Sequence, residues 1–350
     1  MKNLVVILLL SSFLFSANFI IAAKYRVNNS GIGDADFTTI TDAIAAAADY
    51  DTLYIEGTPV HYEGFTLAKP LVMIGPGYFL GDNPETQANP NSAIIKRSVF
   101  NPGCEGSVII GLYFYDGVMG DASAITINES NIIFKRNRIQ SDQYSDYHGY
   151  TNYTITISAS VSGISFIQNY ITRTNSGNGY NIRILENCAG IIFTNNYLSS
   201  QAGDAINMST TSSAQIINNV ISGNLTVKNS SLFNNIMIAG TLNHTDCSIS
   251  NNIGNSTQFA LPSNLQDVDM NLVFDLTNPS RDGKYQLIDD PSNPAIGYGA
   301  TGEDCGMFGG IDPYRLSGLP PVPSTYFFYG SSTGSNTDGL PINIKIKSNN

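Results

Sequence analysis

Short apolar pairs alternate with polar residues in a pattern that recurs along the middle of the chain. Between residues 132 and 254, six segments align on an asparagine, and a mostly apolar pair stands five and three residues before each one, such as Ile132 with Phe134. Ahead of most segments lies a second alternating run, such as Ile125 with Ile127. Alternation with period two is the signature of a β-strand. The aligned residues are Asn137, Asn169, Asn196, Asn219, Asn235 and Asn252.

Each repeat therefore predicts a strand, a turn, a second strand, a turn at asparagine and a short third strand. A unit of this size cannot close a core alone, but copies stacked on one another can. Asparagine tolerates the left-handed conformation, and its amide can bond to the asparagine of the next coil. We expect an all-β fold, a right-handed parallel β-helix solenoid of about nine to eleven coils, with left-handed, mutually bonded asparagines at the repeated turn.

Composition supports strands over helices. Only 13% of the 350 residues are charged, against about 25% in a typical domain, and 38 are asparagine. Asparagine, glycine, serine and threonine are poor helix formers. The net charge of −11 and the lack of any basic run argue against a nucleic-acid partner, because such binding needs a basic surface.

The first residues predict export. Lys2, an apolar stretch over 4–15 and the small pair Ala22-Ala23 are typical of a cleaved secretory signal over 1–23, with a signal anchor as the alternative. No later stretch approaches the ~20 apolar residues of a spanning helix. We expect a secreted or cell-surface monomer with no membrane span after signal removal. Its four cysteines favour unpaired, mostly buried thiols, although export also permits one or two bridges.

Two segments near the start carry a resemblance to a known family. FTTITDAIAAAADYDTLYIEG at 37–57 and GFTLAKPLVMIGPG at 64–77 resemble the opening of pectin-lyase-like right-handed parallel β-helix proteins. In this resemblance a short N-terminal helix caps the core through Phe37, Ile40, Ile44 and Ala47, which share one helical face.

The end of the chain extends the resemblance. Residues 285–310 resemble the closing coil of such proteins, and 313–324 resemble a tail of secreted bacterial members. The resemblance implies a β-helix domain over 24–316 and an extended C-terminal tail over 317–350. A last alternating strand at 342–347 either adds to a sheet edge or ends the chain.

Enzymes of this fold leave recognisable residues, and the sequence lacks them. Polygalacturonase-like hydrolases need clustered aspartates with separate acid and water-activating roles, and the central repeats have none. The Arg-Pro-Trp signature of pectin methylesterases cannot occur in a chain without tryptophan. No ladder of calcium-binding carboxylates faces an Arg or Lys base, as in pectate lyases. These absences favour a non-catalytic protein.

Inserted residues between repeats form the best candidate site. The loop at 140–153 carries Asp142, Asp146, His148 and four tyrosines, the next insert at 172–180 carries Arg173 and Tyr180, and the one after carries Asp204. Because stacked coils stay in register, we expect these loops on one edge, where they would wall a groove. The candidate ligand-binding residues are Tyr144, Tyr147, Tyr150, Arg173, Tyr180 and Asp204.

Three interpretations of this groove stay open. Tyrosines that stack on sugar faces, with polar groups for the hydroxyls, would make a saccharide-binding groove. Long polar loops could instead pack on each other with no ligand. A catalytic groove would make the protein a polysaccharide lyase or glycoside hydrolase, with His148 or Tyr150 as proton acceptor, Arg173 steadying the developing charge and Asp146 as a further candidate.

The first function hypothesis is thus a non-catalytic exported protein that binds polysaccharide, a cell-surface glycan or another extracellular partner along its lateral face, without a cofactor. Asp267, Asp269 and Asn271 have the alternating oxygen atoms of a calcium loop. Leu272 and Asn278 stand where an EF-hand needs glycine and glutamate, which rejects that loop type. A structural calcium ion here is the alternative to a solvated connection.

Overall fold

The structure, a computed structural model, describes residues 22–116, 123–142, 153–174, 179–337 and 339–349. Its body is a stack of coils in which each strand pairs in parallel with the same strand one coil along, as the repeat predicts. The strands form three rows, here called rows A, B and C. The architecture is the predicted right-handed parallel β-helix.

Row A is a ten-stranded parallel sheet, and this number lies within the predicted range of coils. Its strands are β1 (Lys24–Val27), β2 (Thr52–Ile55), β4 (Val72–Ile74), β7 (Val108–Ile110), β10 (Ile133–Lys135), β13 (Ser165–Ile167), β16 (Ile191–Thr194), β18 (Ala214–Ile217), β20 (Ser231–Phe233) and β23 (Ser248–Ser250).

Rows B and C together form one 14-stranded sheet, with ten strands on its main path and four on side branches, because β17 (Tyr197–Met208) and β19 (Val220–Lys228) run through both rows without a break. The other strands of row B are β5 (Ile94–Ile95), β8 (Tyr113–Asp116), β11 (Arg138–Ser141), β14 (Tyr170–Arg173), β21 (Ile236–Ala239) and β24 (Ile253–Gly254). Those of row C are β3 (Thr66–Leu67), β6 (Ser98–Phe100), β9 (Ser123–Ile127), β12 (Tyr153–Ile157), β15 (Ile182–Ile184) and β22 (Leu242–Thr245).

The core consists of stacked identical or similar side chains. Phe134, Phe166 and Phe193 follow one another along row A with ring centroids 5.3 and 5.0 Å apart and nearly parallel planes. The alternating isoleucines of row C, such as Ile125 and Ile155, are fully buried. The period of two in the sequence therefore sorts side chains into the core and onto the surface.

The repeated asparagines form a continuous ladder of amides inside the turn. The Oδ1 atom of Asn196 accepts bonds from the backbone N–H and the Nδ2 of Asn169, at 2.8 and 3.0 Å, and its own Nδ2 donates to Asn219 at 3.0 Å. The same bonds run from Asn137 to Asn252 and continue to Asn264. The amide-to-amide bonding is confirmed.

The left-handed conformation falls elsewhere, so that part of the prediction is wrong. The residue before each ladder asparagine has a φ between 54° and 58°, whereas the ladder asparagines do not. The two positions meet different requirements. The ladder position needs a side-chain amide that points inward, and the position before it needs a backbone that turns sharply. The left-handed residues are Arg136, Gln168, Asn195, Asn218, Asn234 and Asn251.

One α-helix of the described residues, α1 (Ile40–Ala46), covers the N-terminal coil. The Thr39 side chain caps it by accepting a bond from the Asp42 N–H at 3.1 Å, which satisfies one of the free donors of the first turn. Ile40 and Ile44 are buried, as predicted. Phe37 lies before the helix and meets the ring of Tyr25 edge to face at 5.5 Å.

Residues 266–322 do not close the C-terminal end, and the prediction of a closing coil at 285–310 is wrong. This segment, here called the cover, packs along the outer surface of row B. Tyr285 stacks on Tyr197 with ring centroids 4.4 Å apart, and Gly306 lies so close to Ile236 that a Cβ atom would be 2.7 Å from it. Row B needs this cover because its outward side chains are apolar, and without the cover they would be exposed to solvent. The cover contains three 3-10 turns, at Met270–Leu272, Gly283–Tyr285 and Leu316–Gly318.

The predicted tail over 317–350 is not simply extended, because its first residues belong to the cover and the rest contains two strands. An antiparallel hairpin joins β25 (Ser324–Gly330) to β26 (Ile342–Lys347), so the predicted last strand pairs with a strand of the tail itself. All four cysteines are free thiols, and only Cys247 is not fully buried. In the described part of the chain, no helix is long and apolar enough to span a membrane.

Candidate functional site

The inserted loops leave from one corner of the solenoid, where the chain passes from row B to row C. On the row B side, Ser141 pairs with Asp116 and with Arg173. On the row C side, Tyr153 pairs with Ser123. These registers place the attachment points of successive inserts one above another. Residues 117–122, 143–152 and 175–178, which lie between them, fall outside the described residues.

Five of the predicted site residues lie in that undescribed part. The roles predicted for them, as ligand-binding tyrosines and as acid or base, stay predictions. They are Tyr144, Asp146, Tyr147, His148 and Tyr150.

Arg173 differs from the exposed position that the sequence led us to expect. It is only 1% exposed, and its Nη1 donates to the carbonyl oxygen of Ala202 at 2.6 Å. Burial lowers the pKa of its guanidinium, although arginine remains protonated at neutral pH. The alternation explains the difference, since Ile171 faces the core and the residue two positions on must share that face.

A partly exposed cluster lies just downstream of the corner, on row C. The rings of Tyr153 and Tyr180 lie with centroids 5.9 Å apart and planes tilted by 32°. The Arg183 guanidinium lies over the Tyr153 ring, with its Cζ 4.8 Å from the centroid. Because Ile182 and Ile184 are buried on either side, Arg183 must point outward. Two aromatic faces and one cation are thus held together on the surface.

The next coil adds polar groups to this cluster. Asn207 pairs in register with Arg183, and its Nδ2 donates to Asp204 Oδ2 at 2.7 Å. Adjacent strands lie about 4.8 Å apart, so these side chains are immediate neighbours. We call Tyr153, Tyr180, Arg183, Asp204 and Asn207 the corner face.

Sequence analysis missed two members of the corner face, Arg183 and Asn207, and it counted Tyr153 among the loop tyrosines without including it in the candidate ligand-binding residues. The two missed residues both stand between two apolar residues in short alternating runs, Ile182-Arg183-Ile184 and Ile206-Asn207-Met208, where the middle residue faces solvent. That signal was present at 182–184 and 206–208. What the sequence could not supply was the register that sets Arg183 beside Tyr153.

A second polar group, the upstream network, lies on the row B side of the corner. Gln140 Oε1 accepts from the hydroxyl of Tyr113 at 3.1 Å and from Arg138. Its Nε2 donates to Asp142 Oδ1 at 2.6 Å, and Thr174 donates to the same oxygen. Burial raises the pKa of Tyr113 to about 12. These hydrogen bonds connect β8, β11 and the end of β14, so the upstream network links the strand ends that lead into the loops.

Two of the three candidate calcium residues bond to each other. Asp269 Oδ1 accepts from the backbone N–H and the Nδ2 of Asn271, at 2.9 and 2.8 Å, and so caps a 3-10 turn. Nowhere in the described ranges do three or more His, Cys, Asp or Glu side chains form a group that could hold a metal ion. Calcium at Asp267, Asp269 and Asn271 stays a prediction.

Comparisons with known proteins add little about activity. No protein-family model matches the sequence, and no curated protein matches it. Among solved structures, the pectin methylesterase from Aspergillus niger is similar over 77% of this chain and 97% of its own chain, with 14% identity and a TM-score of 0.35. A likeness this low carries no argument about activity, and the fold assignment rests on the strand pairing itself.

Proposed function

We propose that this protein is an exported β-helix that binds polysaccharide along its lateral surface at the corner face. The observation that carries the proposal is the Tyr153–Tyr180 pair beside the outward Arg183. Tyrosine rings offer a flat apolar surface with a polar tip, which suits the apolar faces and hydroxyl edges of sugars. The neighbouring Asp204 and Asn207 provide acceptors and donors for hydroxyl groups.

The repeat of the solenoid suits a polymer better than a single sugar. Successive coils rise by about 4.8 Å, which is close to the length of one pyranose unit. The outward column of row C continues on both sides of Arg183 with Thr156 and Asn207, and then Thr226. A chain running along the solenoid axis would therefore meet polar side chains at each step.

Affinity electrophoresis tests this proposal. The native protein is run through gels that contain a neutral glucan, a xylan, a mannan or a polyuronate, and the dissociation constant comes from the retardation. We expect at least one polymer to slow the protein. Replacing both Tyr153→Ala and Tyr180→Ala should weaken that binding about tenfold, because each ring contact contributes about 0.5–1.5 kcal/mol.

The matched control is Tyr54→Ala, since Tyr54 is a partly exposed strand tyrosine on row A, away from the corner. It should bind like the unmodified protein. Equal binding by the double variant, or no retardation in any polymer, would refute the proposal. Release of unsaturated products or reducing ends during incubation would instead support the lyase or hydrolase alternative.

A further inference from the structure

A cavity of about 450 Å³ lies between the base of the C-terminal hairpin and the cover. The end of β26 contributes Lys347, and the cover contributes Arg315 and Phe308. The segment before β5 contributes Asn83 and Thr86. Its volume falls in the range of small-molecule sites, about 300–1,000 Å³. Three separate parts of the chain therefore meet around a space large enough for a monosaccharide.

The charge of this cavity is opposite to that of the protein. Its wall holds Arg315 and Lys347, and no acidic side chain of the described residues lines it. Residues 313–350 contain three basic side chains and one acidic one, whereas the rest of the chain contains 14 basic and 27 acidic ones. Two cations facing one cavity are thus a local exception in a chain of net charge −11.

Neither cation has an anionic partner among the described residues. Neither Arg315 nor Lys347 forms an ion pair with another side chain in the described part of the protein. Lys347 lies only over the Tyr326 ring, with its Nζ 5.7 Å from the centroid. A guanidinium offers a fork of donors that suits a carboxylate or phosphate, and that fork is unused here.

The remaining wall suits the body of a small polar molecule. The Gln286 side-chain amide makes no hydrogen bond with another described side chain or backbone group, so it is available to a ligand. Asn349 anchors the hairpin base instead, donating to the carbonyl oxygen of Val322 at 2.9 Å and to Ser324 at 3.0 Å. Phe308 adds an apolar surface.

We propose that this cavity binds a small organic anion, a molecule of monosaccharide size that carries a carboxylate or a phosphate group. Arg315 and Lys347 hold the anionic group, and Gln286 and Phe308 contact the body. This site goes beyond the polysaccharide-binding function and does not depend on it, because it shares no residue with the corner face.

Isothermal calorimetry on the full chain tests the site with glucuronate, glucose 6-phosphate and glucose as probes. We expect saturable binding of at least one of the two anions and none of glucose. Arg315→Gln and Lys347→Gln should each weaken anion binding about tenfold or more, because hydrogen bonds to charged groups are strong. Both side chains are at the surface or half-buried, so the thermal midpoint should not change.

Lys345→Gln is the matched control. Lys345 lies two residues before Lys347 on the same strand but does not line the cavity, so its loss should change the affinity by less than about twofold. Equal weakening in Lys345→Gln would mean attraction by general surface charge, and absence of binding by either anion would overturn the site. The Tyr153→Ala/Tyr180→Ala protein should bind the anions normally, which separates this test from that of the corner face.

Discussion

At each repeated turn, two neighbouring residues have different tasks. The ladder asparagine turns inward and joins its amide to the coils above and below. The residue before it adopts the left-handed conformation and directs its side chain outward, toward the cover. Asparagine suits both positions, because its short amide bonds locally and its backbone tolerates positive φ. Each Asn-Asn pair in the sequence therefore marks two structural positions, the left-handed residue of the turn and the inward ladder asparagine that follows it.

Replacing one ladder amide tests its energetic role. Asn196→Ala removes two accepted and two donated bonds in a site with no exposure. Each buried group left without a partner costs about 1–3 kcal/mol, so we expect a loss of at least about 3 kcal/mol in the free energy of unfolding. Urea titration followed by circular dichroism measures this loss.

Asn243→Ala is the control for that experiment, because Asn243 is exposed on β22. Its effect should stay within about 0.5 kcal/mol. A loss of unfolding free energy of similar size in both variants would show that the buried ladder bonds stabilise the protein no more than an exposed asparagine does.

A surface ion pair gives a prediction for acid stability. Arg281 binds both carboxylate oxygens of Asp82, at 2.7 and 2.8 Å, and these bonds hold the pKa of Asp82 below its ordinary value. A lowered folded-state pKa adds stability above about pH 4, which disappears as the pH falls through the folded-state value. Because Arg281 is half-exposed, the contribution is below about 1 kcal/mol.

Unfolding free energies of Asp82→Asn and of the unmodified protein, measured over pH 2–7, test whether the ion pair loses its stabilising effect in acid. The difference in unfolding free energy should be largest near pH 7 and should vanish at the acidic end. A difference that is constant with pH would contradict the assignment.

At the scale of elements, the outward turn residues attach the cover to the solenoid. Asn195 Nδ2 donates to the carbonyl oxygens of Met307 and Gly309, at 3.0 and 2.7 Å. Gln168 does the same toward Pro313 one coil earlier, at 2.7 Å. These bonds satisfy carbonyl groups of an irregular segment that has no sheet of its own, and each buried carbonyl needs a partner.

Asn195→Gly keeps the left-handed turn but removes both bonds to the cover. We expect faster amide hydrogen exchange over residues 303–312, measured by mass spectrometry, with little change elsewhere. Asn195→Ala should destabilise the protein further, by about 1–2 kcal/mol, because alanine does not favour positive φ.

Ser160→Gly serves as the control, since Ser160 also has a positive φ of 65° but is exposed, far from the cover in sequence and in a different turn. It should leave exchange over 303–312 unchanged. If Asn195→Gly behaved in the same way, the attachment would depend on apolar packing alone.

In the molecule as a whole, the outer surfaces of rows B and C differ. The outward column of row B is aromatic and aliphatic, and the cover buries it, as at Tyr197 and Ile236. The outward column of row C is polar and stays open around Arg183. The hairpin projects beyond both, with Phe328 and Ile346 about 60% exposed. The cover therefore buries apolar surface and should stabilise the fold, whereas the exposed hairpin should contribute little to stability.

Two truncations separate these contributions. A chain that ends at residue 323 loses only the hairpin, and its thermal midpoint should stay within about 3 °C of the full chain, because few buried groups are lost. A chain that ends at residue 265 also loses the cover and uncovers the apolar column of row B. We expect that chain to bind the dye ANS and to aggregate.

Light scattering and ANS fluorescence compare the two truncations directly. A monomeric, dye-silent chain after removal of the cover would contradict the assigned role of that segment.

The local sequence pattern is enough to specify the solenoid. Period-two alternation around Phe134 and Phe166, together with the aligned asparagines, can only be satisfied when identical positions stack, because a single repeat has no core. The same alternation predicted the last strand, at 342–347, whereas the capping helix was predicted from the family resemblance and from apolar residues that share one helical face. The alternation also implied that the Arg173 side chain points inward, since residues two apart in a strand share a face.

The segments that pack against the outside of the solenoid depend instead on long-range contacts. Residues 285–310 return along row B, and this follows from contacts such as Tyr285 with Tyr197, nearly 90 residues apart, which no local pattern encodes. The corner face and the cavity between the hairpin base and the cover are also formed by segments that are distant in the sequence. Local alternation fixes which side of a strand a residue takes, but register and long-range packing fix which residues meet, and binding sites are made of residues that meet.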